Sequence, residues 1–218
     1  LLENRRKLHV ERFQDYVDDL SAFLEQVVRP AAPKRLHLVG HSLGGLIGAL
    51  YLEQHPGDFR SGVLLSPAIA SQLRKPELEV QAFSCSGHPQ EFAHGDEEDD
   101  PAFDSNTSTR SRVRFEIGFV QKKKRPEAAV GGATRNWLCE FIGAQQKVRR
   151  HPAEIKEPLL TLLADGDSLT QPKAAGAFCA SVKRCRSQSF SAKHNLLIER
   201  DEVRERVLHA LVDFLKKH

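Results

Sequence analysis

The sequence predicts an α/β fold, a mostly parallel sheet with helices on both faces and a segment inserted between two of its strands. Three observations predict it. Apolar runs at 36–39, 62–65 and 158–164 have the length and hydrophobicity of strands, and the last is unbroken, as a strand buried on both faces requires. Stretches whose apolar residues recur at three-and-four spacing lie between or beside them. The first run also leads straight into Gly40-His41-Ser42-Leu43-Gly44 and then an apolar helix-like segment, a strand, tight turn and helix with a serine at the apex.

After a charged, irregular start, a helix is expected over 10–28. Phe13, Tyr16, Val17, Leu20, Phe23, Leu24, Val27 and Val28 form its buried stripe, Glu11, Asp15, Asp18, Asp19 and Glu25 its solvated face, and Pro30 and Pro33 end it. The strand at 36–39 meets the serine turn, where Gly40 and Gly44 are read as the residues that must lack side chains. The following helix is apolar almost all round (Leu43, Leu46, Ile47, Leu50, Leu52) and so lies inside the fold; His55-Pro56-Gly57 stops it. With the strand at 62–65 this makes a right-handed parallel crossover.

From 71 to 150 the character changes to an acidic run at 96–100, a Ser/Thr-rich stretch at 105–109, a basic cluster and the pair Gly131-Gly132. Val113, Phe115, Ile117 and Phe119 alternate as in a strand. The division expected is a core at 1–70, an inserted lid at 71–150 and a second core part at 151–218. There the sheet resumes at 158–164, a helix follows over 172–182, a last strand runs over 186–190 and a closing helix over 201–217 buries Val203, Val207, Leu211, Phe214 and Leu215.

Hydrophobic residues make up 40% of the 218 and charged residues 28%, as in a soluble globular protein. A net charge of +3 gives no reason to expect a nucleic-acid partner. Lys122, Lys123, Lys124 and Arg125 read either as a solvated helix end or as a contact with anionic lipid head groups. No apolar run approaches the roughly 20 residues of a membrane span, and no signal peptide opens the chain. Cys85, Cys139, Cys179 and Cys185 lack metal-ligand spacing, and neither a metal nor another cofactor is expected. They read as reduced thiols, which with the missing signal peptide gives a cytoplasmic protein, at most peripheral on the inner membrane. The absence of any methionine suggests part of a longer protein.

A serine hydroxyl becomes a nucleophile only beside a base, and the base needs a carboxylate to set its tautomer. Where a serine turn of this kind is used, the order along the chain is serine, acid, histidine. Here that gives Ser42, Asp167 and His194. Asp167 follows the strand at 158–164 and His194 follows the last strand, so all three project from one edge of the sheet. Asp165 competes with Asp167, which is preferred because the acid usually follows the turn rather than starting it. His41 is expected to point away from the serine and pack against the turn, and the Leu43 backbone N–H is the first oxyanion donor.

The stretches at 9–20, 40–45, 131–138 and 193–201 together resemble the α/β-hydrolases, and in particular the branch holding bacterial lysophospholipases and monoacylglycerol lipases. The resemblance implies an α/β-hydrolase fold, the Ser42, Asp167 and His194 triad, a helical lid in which 113–119 is helix despite its strand-like alternation, and hydrolysis of a single-acyl lipid ester: a lysophospholipid first, a monoglyceride or a general carboxylic ester second. It also implies roughly eighty to a hundred further residues of N-terminal sheet that carry the second oxyanion donor. Trp137 and Phe141 are expected to line the acyl-chain site, the alternative being that the aromatics of this segment fill the lid's own core. A non-catalytic binding protein on the same fold is the reading from another class.

Overall fold

The computed structural model describes residues 4, 6–94, 102–125 and 130–218; the acidic run at 96–100 lies outside them. The strands β1 (His37–His41), β2 (Ser61–Leu65), β3 (Leu159–Ala164) and β4 (Cys185–Phe190) form one sheet in the order β1-β2-β3-β4, with every neighbouring pair parallel. All residues of β2 and β3 are buried, because helices cover both faces. On one face α1 (Gln14–Phe23), α2 (Leu43–Gln54), α5 (Arg135–Arg150) and α6 (Pro172–Ser181) share a core with Leu38, Leu64, Leu159 and Leu163. On the other, α7 (Asp201–Lys217) packs Val207 against Val63, Leu65, Leu160 and Leu162. A one-turn π-helix, Leu24–Val28, continues α1.

The segment between β2 and β3 carries α3 (Glu77–Ser86), α4 (Arg112–Lys124) and then α5. The strand-like alternation of 113–119 is a helix. Alternation over seven residues is equally a pair of i,i+4 neighbours on each of two faces: Phe115 and Phe119 stack with centroids 6.4 Å apart, while Val113 and Ile117 are exposed.

The reduced-thiol reading is corrected. Cys85 on α3 is bonded to Cys139 on α5, and Cys179 on α6 to Cys185 at the start of β4. The first pair is 54 residues apart, and only the packing of α3 along α5 brings its members together.

Trp137 and Phe141, the residues expected at an acyl-chain site, lie within the core. They are 8% and 9% exposed and stacked with centroids 4.7 Å apart, within the main core. Phe141 lies beside Phe13, and the Trp137 indole N–H donates to the Tyr16 hydroxyl at 3.0 Å. The Trp137 ring is thus stacked on Phe141 and tied to α1 through the Tyr16 hydroxyl. Trp137→Ala is therefore expected to cost about 3–5 kcal/mol in stability, checked by denaturant melts.

The N-terminal and 131–138 stretches, far apart in sequence, interlock around this core. Leu8 N–H donates to the Gly132 carbonyl and Thr134 N–H to that of Leu8. The Asn136 side-chain amide donates to the Val10 carbonyl at 2.6 Å, and Glu140 accepts the Phe13 N–H at the start of α1 at 2.8 Å. β1 is the sheet's edge: it pairs with β2 alone among the described strands, and Val39, with Phe23 and Val27 of the neighbouring helix, is about half exposed.

Candidate active site

Ser42 sits between β1 and α2 with φ 53° and ψ −117°, a region that L-residues occupy only when their surroundings force it. The surroundings are backbone. Ser42 N–H donates to the Leu65 carbonyl at 3.0 Å, and the Ser42 carbonyl accepts from Gly45, Leu46 and Ala68. A Cβ on Gly40 would stand 2.5 Å from the Gly44 carbonyl oxygen, and one on Gly45 2.8 Å from Pro67. A Cβ on Gly44 would meet nothing within 4 Å. The turn thus needs glycine at 40 and 45, not at 40 and 44 as its pattern suggests.

The turn directs the Ser42 Oγ to His194 Nε2 at 2.8 Å, and His194 Nδ1 lies 2.7 Å from Asp167 Oδ2. His194 is 5% exposed and Asp167 7%. Asp167 follows β3 at its C-terminal end, and His194 follows β4 at the same edge. Asp165 is exposed, with its backbone N–H on the Phe190 carbonyl, whereas Asp167 is buried against His194.

Burial opposes the ionisation of Asp167, but its partners outweigh it. His194, the Thr170 hydroxyl (2.7 Å) and the backbone N–H groups of Leu169 (2.8 Å) and Thr170 (3.0 Å) hold its pKa below the ordinary carboxylate value. The carboxylate is thus charged at neutral pH and accepts the Nδ1–H of His194. That leaves Nε2 as the acceptor facing Ser42, the arrangement that lets an imidazole take a hydroxyl proton. Thr170 escaped the sequence reading, although a Thr three residues after an Asp is an Asx-turn signal.

His41 does more than pack against the turn. Its Nε2 lies 3.4 Å from the His194 carbonyl oxygen and its ring centroid 5.0 Å from that of His194. Burial, followed by the neighbouring His194, lowers its pKa, so it stays neutral and donates to that carbonyl. Leu43 opens α2, so its N–H has no acceptor within the helix and lies beside Ser42. Among the described residues no group of three or more His, Cys, Asp and Glu is placed to hold a metal ion.

In sequence, the chain is 31% identical over 225 residues to "Lysophospholipase L2" of Escherichia coli K12, covering 96% of this chain and 66% of that protein. It is 27% identical to "Probable lysophospholipase L2" of Haemophilus influenzae, covering 96% and 69%. The chain therefore spans about two thirds of the length of these relatives. Among solved structures it is similar to a monoacylglycerol lipase of Paleococcus ferrophilus, with a TM-score of 0.70, 20% identity, and 94% and 75% of the two chains covered. A soluble variant of the Saccharomyces cerevisiae monoglyceride lipase gives a TM-score of 0.74 at 18% identity, covering 93% and 68%. At these identities the likeness shows the fold, that of the α/β-hydrolases. The Hydrolase_4 family, described as "Serine aminopeptidase, S33", matches residues 3–201, and with the sheet and serine turn described above the chain belongs to that family of α/β-hydrolases.

Proposed function

We propose that this chain carries the reacting groups of a serine hydrolase that cleaves the carboxylic ester of a single-acyl lipid, a lysophospholipid before other esters. The observation that carries the reading is the unbroken hydrogen-bond chain from Ser42 through His194 to Asp167. Ser42 Oγ attacks the ester carbonyl while its proton passes to His194 Nε2. The oxyanion is met by the Leu43 N–H, and the imidazolium is balanced by Asp167. His194 then protonates the departing alcohol, which leaves an acyl-serine. Water attacks that ester, again giving its proton to His194, and the fatty acid leaves as the proton returns to Ser42.

The names of the relatives support lysophospholipid as substrate. The monoglyceride lipases among the similar structures favour monoglyceride as the second reading. The open edge of β1 and the greater length of the relatives support a further part of the hydrolase sheet docking there, with the second oxyanion donor on one of its loops. The segment 71–150 is read as a lid that faces lipid. Val113, Ile117 and Val120 form an exposed apolar stripe on α4, and its last turn holds Lys122, Lys123 and Lys124, a combination suited to an anionic bilayer surface. Among the described residues no helix is long and apolar enough to cross a membrane. The cytoplasmic reading drew support from reduced thiols, and with the cysteines paired that support is gone.

Assays of the full-length protein on a lysophosphatidylcholine, a monoglyceride and a butyrate ester test the assignment. Lysophospholipid is expected to give the highest kcat/KM. A higher value on monoglyceride selects the second reading. No turnover together with no labelling by a fluorophosphonate would leave only the non-catalytic binding protein.

A further inference from the structure

The Ser/Thr-rich stretch at 105–109 has no part in the chemistry above, yet it lies against the loop that carries His194. His194 N–H donates to the Thr107 carbonyl at 3.2 Å and Asn195 N–H to that of Ser108 at 2.9 Å, a short piece of strand-like pairing between two loops. Lys193 Nζ donates to the Asn106 carbonyl at 2.6 Å, and the Thr109 hydroxyl to the Ile198 carbonyl at 2.7 Å. The 106–109 turn is itself fixed, since the Asn106 side-chain oxygen accepts the N–H groups of Ser108 (3.0 Å) and Thr109 (2.9 Å).

One buried carboxylate joins the two loops. Glu199 is 1% exposed. Its Oε1 accepts the N–H of Lys193, the residue before His194, at 2.8 Å and that of Arg110 at 3.2 Å; its Oε2 accepts the Arg200 N–H at 3.1 Å. A carboxylate so deeply buried is costly unless such donors meet it, and the donors it has belong to opposite sides of the contact.

We infer that Glu199 is a positioning residue for His194: by clamping the 106–110 segment onto the 193–199 loop, it holds the imidazole at hydrogen-bond distance from Ser42. The inference rests on the serine-hydrolase reading of Ser42 and His194. It makes the segment between β2 and β3 a brace for the base as well as a cover for substrate, so movement of that segment and readiness of the base are coupled. A displacement of about 1 Å at a reacting group costs on the order of a hundredfold in rate, so weakening the clamp lowers kcat and leaves ground-state binding alone.

The test uses the full-length protein. Glu199→Ala removes both acceptors and is expected to lower kcat about a hundredfold with KM unchanged, on long-chain and short-chain esters alike. Glu199→Gln keeps an amide oxygen for the Lys193 and Arg110 N–H groups and is expected to recover most of that loss. Thr109→Val approaches the clamp from the other side. It keeps the buried volume, loses the hydroxyl bond to Ile198, and is expected to lower kcat about tenfold with KM unchanged. The downfield Nδ1–H resonance of His194 is expected to broaden in Glu199→Ala and to stay sharp in Glu199→Gln. If Glu199→Ala does not fold, Thr109→Val decides. Retention of kcat within about twofold in folded Glu199→Ala or Thr109→Val, or a rise in KM at constant kcat, overturns the inference. Fluorophosphonate labelling separates the two levels: a wild-type protein that does not label sinks the serine-hydrolase reading, whereas a wild type and variants that label equally fast sink the clamp alone.

Discussion

Ser42→Ala is expected to abolish fluorophosphonate labelling and to lower kcat about a millionfold, the scale of removing a nucleophile from a cooperating set. The size follows from the geometry. Ser42 Oγ is the atom that His194 Nε2 faces at 2.8 Å, and the strained backbone at φ 53° holds it there. Alanine keeps that backbone, whose enforcing contacts come from Leu65, Gly45, Leu46 and Ala68, so the melting temperature is expected to change little. Loss of activity without loss of fold is the signature of a reacting group. A well-folded variant that still turns over ester at a comparable rate would end the esterase proposal and leave the Ser42–His194 contact as architecture.

Asp167→Asn is expected to lower kcat about ten-thousandfold, with Asp165→Asn far milder. An asparagine at 167 keeps the size of the side chain, but it can turn its amide N–H toward His194 Nδ1. The imidazole then carries its proton on Nε2, pointing at the serine it should deprotonate. Asp165 is exposed and its side chain has no such control. The same substitution tests the electrostatics. The Asp167 pKa is depressed in the folded protein, since its hydrogen bonds outweigh its burial. Its contribution to stability is therefore present above the unfolded carboxylate pKa, about 3.9, and is lost as pH falls through the lower folded value. Asp167→Asn should be less stable than wild type at neutral pH, with the gap closing in acid, as measured by urea melts across pH. If Asp165→Asn proves the more damaging of the two, the loop after β3 has been assigned to the wrong residue.

Much of the sheet was legible because it is dictated locally. The runs at 36–39, 62–65 and 158–164 are hydrophobic enough to need cover on both sides, and they became β1, β2 and β3 within two residues of their expected ends. The serine turn was legible for the same reason, since its sterics act between neighbours in the chain. Even there the wrong glycine was chosen at one position: Gly45 is required by Pro67, a residue of the next strand's loop that no local pattern contains. At 113–119 alternation suggested a strand where the family resemblance implied a helix, and the helix is found because period two over seven residues coincides with two i,i+4 pairs.

By itself, then, the sequence determined the strand order in the chain, the serine turn, and the placing of Ser42, Asp167 and His194 after three different strands, because periodicity, turn sterics and chain order are properties of adjacent residues. Only the tertiary structure decided which side chains meet. It packed Trp137 against Tyr16 and Phe141 beside Phe13, paired Cys85 with Cys139 across two helices, and set Asp167 at hydrogen-bond distance from His194. It also bound Glu199 to both sides of the contact that carries His194. The physical reason is common to all of these. The deciding contacts join residues tens of positions apart, and their partners are set by how helices and loops pack over the sheet, which short-range spacing does not encode.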